Sequence, residues 1–159
     1  MNTIPLVVGI GASAGGLEAF RAFFSAMPTD TGMAFVLVQH LDPDRSSALV
    51  DILRGSTAMA VSTAEHGAPI APNQVFVIPP DAILKIEAGV LQVTRPATAA
   101  ARRASIDTFL TSLAEDQDED AVGIILSGFG ADGALGVEAI KEHVGLTLAQ
   151  AEFDHAPMP

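Results

Sequence analysis

Leu6-Val-Val-Gly-Ile-Gly-Ala-Ser-Ala-Gly-Gly16 is the stretch that decides the fold. An apolar run containing Val7 and Val8 leads into a glycine-dense turn, and Leu17, Phe20, Phe24 and Met27 then recur at helical spacing. The pattern predicts strand, tight turn, helix. The turn places Ser13 beside a helix N-terminus, where unbonded backbone N–H groups favour negative charge. Such a place suits a bound phosphate, or a serine attacking a carbonyl.

Working outward, strands are expected near 5–10, 34–39, 74–78 and 121–126, with a short one at 145–149. They consist mostly of Val, Ile, Leu and Ala, so they read as buried on both faces, which favours a parallel sheet. Helices are expected near 16–27, 46–54, 105–116 and 133–143. The third starts at Ser105, a suitable cap, and carries Ile106, Phe109, Leu110 and Leu113 on one face. Alternating β and α units imply right-handed crossovers and a Rossmann-like, doubly wound α/β sheet with helices on both faces, in a single domain. Residues 83–93, centred on Gly89, read as a hairpin appended to the sheet, and 94–104 as an exposed connection. The acidic stretch Glu115-Asp-Gln-Asp-Glu-Asp120 reads as a solvated helix end, because consecutive acids do not converge on one metal.

Composition narrows the class. At 159 residues, 49% of them apolar, the chain can bury a substantial core. No apolar run approaches the roughly eighteen residues needed to span a bilayer, and no basic region marks a signal peptide. The absence of cysteine removes disulfides, thiol nucleophiles and thiolate metal sites. A cytoplasmic location is therefore the default. A net charge of −11 argues against nucleic acid, whose binding needs clustered Lys and Arg.

Function in open α/β sheets gathers at the carboxyl ends of strands. Ser13, His40 and Asp132 each follow such an end. A serine, an imidazole and a carboxylate make a nucleophile, a base and a group that orients the base. The order Ser…His…Asp differs from the Ser…Asp…His of α/β-hydrolases, but the relay is defined by geometry. Each residue also has a plain structural role: helix cap, loop histidine, turn former. A rival is a dinucleotide site, since Gly9-Ile-Gly-Ala-Ser-Ala14 fits a G-x-G-x-x-G/A fingerprint. That fingerprint wants an acid about 20 residues on, at the end of the second strand. Here that strand ends in Gln39-His40, and Asp42 comes later.

Several segments, taken together, carry a resemblance: Gly9–Gly16, Val38-Gln-His40, Val77-Ile-Pro-Pro80, Ser105-Ile-Asp107, Ile125-Leu-Ser-Gly-Phe-Gly-Ala-Asp-Gly133 and Leu146-Thr-Leu-Ala-Gln150. In this order the chain resembles the catalytic domain of the chemotaxis protein-glutamate methylesterase family (CheB-type). The resemblance implies a serine esterase that removes methyl groups from chemoreceptor glutamates and can deamidate receptor glutamines. It places the triad on Ser13, His40 and Asp132, with Ala14, Gly15 and Phe129 supporting the turn and the oxyanion. It implies no metal and no cofactor. The partner it implies is a methylated chemoreceptor; neither nucleic acid nor membrane insertion is involved.

Departures from the family pattern are Ala14 for a usual threonine, Phe129 for a usual methionine, His66 for a common aspartate and Val144 for a glycine. His66, His143 and His155 read as surface or structural. Phe109–Gln117 and Ala139-Ile-Lys141 resemble the form fused to a receptor methyltransferase module. The expectation is one methylesterase-like domain over 1–159, without the family's preceding receiver domain and without its C-terminal helix and strand. A catalytically weak signalling or scaffold module of the same fold is the alternative, with dinucleotide binding behind it.

Overall fold

The structure, a computed structural model, describes residues 4–12, 16–39, 46–126 and 132–150. Its elements are β1 (Val7–Ala12), α1 (Leu17–Ala26), β2 (Ala34–Gln39), α2 (Ser46–Arg54), β3 (Ala60–Thr63), β4 (Gln74–Val77), β5 (Ile83–Glu87), β6 (Val90–Thr94), α3 (Ala99–Arg103), α4 (Ser105–Gln117), β7 (Val122–Leu126), α5 (Ala134–Glu142) and β8 (Leu146–Ala149). A 3₁₀ turn at Asp118–Asp120 joins α4 to β7.

Six strands form one parallel sheet in the order β3-β4-β2-β1-β7-β8. The central strands β1 and β2 are buried along their whole length, as expected of a sheet covered on both faces. One face packs on α1 and α2 through Phe20, Phe24, Leu49 and Leu53. The other packs on α4 and α5 through Ile106, Phe109, Leu110, Leu113 and Ile140. The doubly wound architecture is as the alternating pattern requires.

Three differences have physical causes. First, β1 runs to Ala12 rather than ending near residue 10. Gly9 and Gly11 look like turn residues, but both are paired in the ladder with β2 and β7. Second, β5 and β6 form their own two-stranded sheet instead of extending the main one. Ala88 and Gly89 both have positive φ, 51° and 73°, as a two-residue hairpin loop requires. α4 takes up the hairpin's backbone donors: Ile86 N–H donates to Ser112 Oγ (3.1 Å), and the N–H groups of Ala88 and Gly89 donate to the Asp116 carboxylate (2.5 and 3.2 Å). Part of the acidic stretch is thereby a hairpin cap. Third, the 94–104 connection contains α3, built from helix-favouring Ala99–Ala101 and capped by Thr98 Oγ1, which accepts from Ala101 N–H (3.0 Å).

The edge strand β3 gave no readable signal: it is four residues long and buries only Val61. His66 Nδ1 accepts from Val93 N–H at 3.0 Å, and His143 Nδ1 lies 2.9 Å from Asp118 Oδ1. Both histidines are thus structural, as expected; His155 lies outside the described residues. Among the described residues no helix is long and apolar enough to cross a membrane.

Candidate active site

The parallel register lines up three strand ends. Ala12, the last residue of β1, pairs with Gln39, the last of β2, and with Leu126, the last of β7. Adjacent strands lie about 4.8 Å apart. β1 is the innermost of the three and is flanked by crossovers that leave in opposite directions, which is where open α/β sheets form their crevice. Ser13, Ala14, Gly15, His40 and Phe129 lie outside the described residues; the strand ends that lead into Ser13 and His40 are described.

Asp132 is described, and its position comes from a different source than the turn chemistry of Gly-Ala-Asp-Gly. Its carboxylate sits at the N-terminus of α4. Oδ2 accepts from Ile106 N–H (2.9 Å) and Oδ1 from Asp107 N–H (2.7 Å). The first N–H groups of a helix have no partner within it, and the helix dipole favours an anion there. Ser105 is therefore not the cap. It is the first helical residue, is buried, and Ala104 before it makes no side-chain cap bond. An ionised carboxylate has about four lone-pair positions, so two backbone bonds do not exhaust it. Such a group can receive a ring N–H while its orientation stays set by the helix.

Sequence reasoning assigns Asp107 no role. Its Oδ1 accepts from Gly133 N–H and Gly136 N–H, both at 2.8 Å. The signal that could have found it is an acid in the first turn of a helix, where anions are favoured.

The glycines of β1 explain how α4 comes so close. A Cβ at Gly9 would lie 2.9 Å from Leu110 Cδ2, and one at Gly11 would lie 2.5 Å from Ile106 Cγ2. α4 thus rests on bare backbone, and its first turn is brought level with the strand ends. In a dinucleotide fingerprint the glycines serve a tight turn and a pyrophosphate. Here Gly9 and Gly11 are strand residues whose missing side chains are filled by α4, which takes away the feature that suggested such a site.

A sequence model of the CheB methylesterase family matches residues 8–158. The chain belongs to the CheB methylesterase family. It is 38% identical over 153 residues to protein-glutamate methylesterase/protein-glutamine glutaminase 3 of Burkholderia orbicola (strain AU 1054), covering 96% of this chain and 45% of that protein. It is 33% identical over 151 residues to the protein-glutamate methylesterase/protein-glutamine glutaminase of group 3 operon of Pseudomonas putida (strain KT2440), covering 94% and 45%. The chain thus spans about half the length of the curated relatives it matches. In three dimensions it is similar to the Thermotoga maritima CheB methylesterase catalytic domain, with a TM-score of 0.81 and 26% identity over 91% of this chain and 79% of that one. The six-stranded parallel sheet is therefore the CheB catalytic fold, and Asp132 with its helix-α4 donors lies at the carboxyl edge of that sheet.

Proposed function

We propose that this CheB domain carries a serine esterase relay of Ser13, His40 and Asp132 that hydrolyses glutamate methyl esters on chemoreceptors. The observation that carries it is the level row Ala12–Gln39–Leu126, with the Asp132 carboxylate held by backbone donors at the same edge. Ser13 and His40 each follow a paired residue by a single chain step, about 3.8 Å. In this reading the Ser13 hydroxyl and the His40 imidazole, which follow neighbouring strands in the sequence, act on one another.

In this mechanism Ser13 Oγ attacks the γ-carbonyl of the glutamyl ester while neutral His40 takes its proton. Asp132 fixes the imidazole tautomer and stabilises the imidazolium. Backbone N–H groups near Gly15 and Phe129 receive the oxyanion; Ala14 supplies no hydroxyl there. The imidazolium then protonates the departing oxygen, methanol leaves, and a glutamyl ester of Ser13 remains. Water, deprotonated by His40, releases the glutamate and restores the serine. A glutamine substrate follows the same path with ammonia leaving. The relay needs no metal or cofactor. The reading further places the protein in the cytoplasm, acting on a methylated receptor, with a fused or associated methyltransferase module as a companion.

The test is methanol release from a methylated receptor by the full-length protein, with Ser13→Ala as control. Turnover lost in the variant supports the esterase. No turnover in the wild type favours a signalling module that keeps the fold, the alternative that Ala14 and Phe129 suggest.

A further inference from the structure

We infer that Asp107 is a positioning residue for the esterase relay, holding the peptide that carries Asp132. The inference rests on the relay proposed above. Gly133 N–H belongs to the peptide bond directly after Asp132, and Asp107 Oδ1 accepts from it at 2.8 Å. The same oxygen accepts from Gly136 N–H at 2.8 Å. Asp107 is therefore the cap of α5, supplied from a different helix; α5's own cap position is Gly133, with φ +111° and no side chain to offer. Asp132 returns the favour by capping α4 at Ile106 and Asp107.

The two helix starts are thus cross-capped by one another's acids. α4 fixes the head of the Asp132 side chain, and Asp107 fixes the backbone from which that side chain springs. With both ends held, the carboxylate has little freedom to swing. The exchange needs the two first turns to approach closely, and Gly136 permits this: a Cβ there would lie 2.6 Å from Leu110 Cβ and 3.3 Å from Asp107 Cα.

The test compares Asp107→Ala, Asp107→Asn, Asp107→Glu, Asp132→Asn and the Asp107→Ala/Asp132→Asn double variant, each checked for folding by thermal melting. Asp107→Ala should lower kcat about a hundredfold with KM little changed, the scale expected when a reacting group is misplaced by about an ångström. Asp107→Asn keeps the Oδ1 acceptor that receives both N–H groups, and should restore most of the rate. In the double variant, Asp107→Ala should cost little beyond Asp132→Asn, because the group it holds is already disabled. The acid limb of the rate profile should move to lower pH in Asp107→Ala, since an imidazolium without its carboxylate gives up its proton more readily. If Asp107→Ala does not fold, Asp107→Glu decides: it keeps a first-turn anion but displaces the acceptor by one methylene, so kcat should fall while the melt persists.

A folded Asp107→Ala or Asp107→Glu with wild-type kcat, beside an inactive Asp132→Asn, overturns the positioning role and leaves the relay standing. Losses that multiply in the double variant also overturn it, since they assign Asp107 an independent role. A fully active Asp132→Asn instead sinks the relay itself.

Discussion

Replacing Gly11 with alanine should report on how α4 is seated. The added Cβ would lie 2.5 Å from Ile106 Cγ2, with Ile106 Cδ1 and Cγ1 at 3.3 and 3.4 Å. Carbon atoms prefer about 3.5–4.0 Å, so the overlap is about 1 Å. Ile106 is 2% exposed, β-branched and stiff at χ1, so it has nowhere to turn. The helix must move instead. Overpacking of this kind costs about 1–3 kcal/mol, which at this chain length lowers the melting temperature by about 2–4 °C per kcal/mol. Ile106→Ala alone should cost about 2–5 kcal/mol through the cavity it leaves. The three heavy atoms nearest to the new Cβ all belong to Ile106. In the double variant the clash is gone, and Gly11→Ala should cost almost nothing. The coupling, measured by urea denaturation followed by circular dichroism, should be about 1–3 kcal/mol. Additivity within about 0.5 kcal/mol would refute the packing role of Gly11. A glycine reserved for a bound pyrophosphate would leave stability unchanged, so the same experiment separates the two uses of the motif.

Further expectations concern strain and chemistry. Val144 follows the end of α5 with φ 63° and is 77% exposed, so its side chain gains little from packing there. Val144→Gly should raise stability by about 1 kcal/mol, the left-handed penalty of about 1–2 less glycine's entropy of about 0.5–1, read as a higher melting temperature. Ala88→Asn should stabilise the hairpin by a few tenths to about 1 kcal/mol, because Asn-Gly suits a loop with positive φ at both positions; an unchanged melt would count against that loop type. Ser13→Ala should remove nearly all esterase activity, and Asp132→Asn should cost about ten-thousandfold in kcat. Wild-type activity should rise with pH as the base loses its proton, since only neutral imidazole can accept one from serine; a profile flat between about pH 5 and 8 would dismiss His40.

Much of this was legible from local pattern. The mainly apolar runs of β1, β2 and β7 announced buried parallel strands, and the 3.6-residue spacing of Ile106, Phe109, Leu110 and Leu113 announced the α4 face that meets them. Val144 could be flagged as standing where the family has glycine, and its left-handed backbone supplies the reason. β3 was missed because an edge strand that buries one side chain carries no period. α3 was missed because five residues are too few to show a face.

By itself, the sequence determined the α/β class, the placing of Ser13, His40 and Asp132 after strands, and the family. These depend on residue type and short-range order, which one chain displays directly. The tertiary structure alone decided what the glycines and acids do. Gly9 and Gly11 accept a helix whose residues lie about a hundred positions later. Asp132 caps α4, and Asp107 caps α5, each across some 25 residues of chain. A backbone N–H left unbonded at a helix start can be satisfied by any acceptor that reaches it, near or far in sequence. Nothing in local composition says which acid that will be, because the choice is made by the packing that brings the two helix starts together.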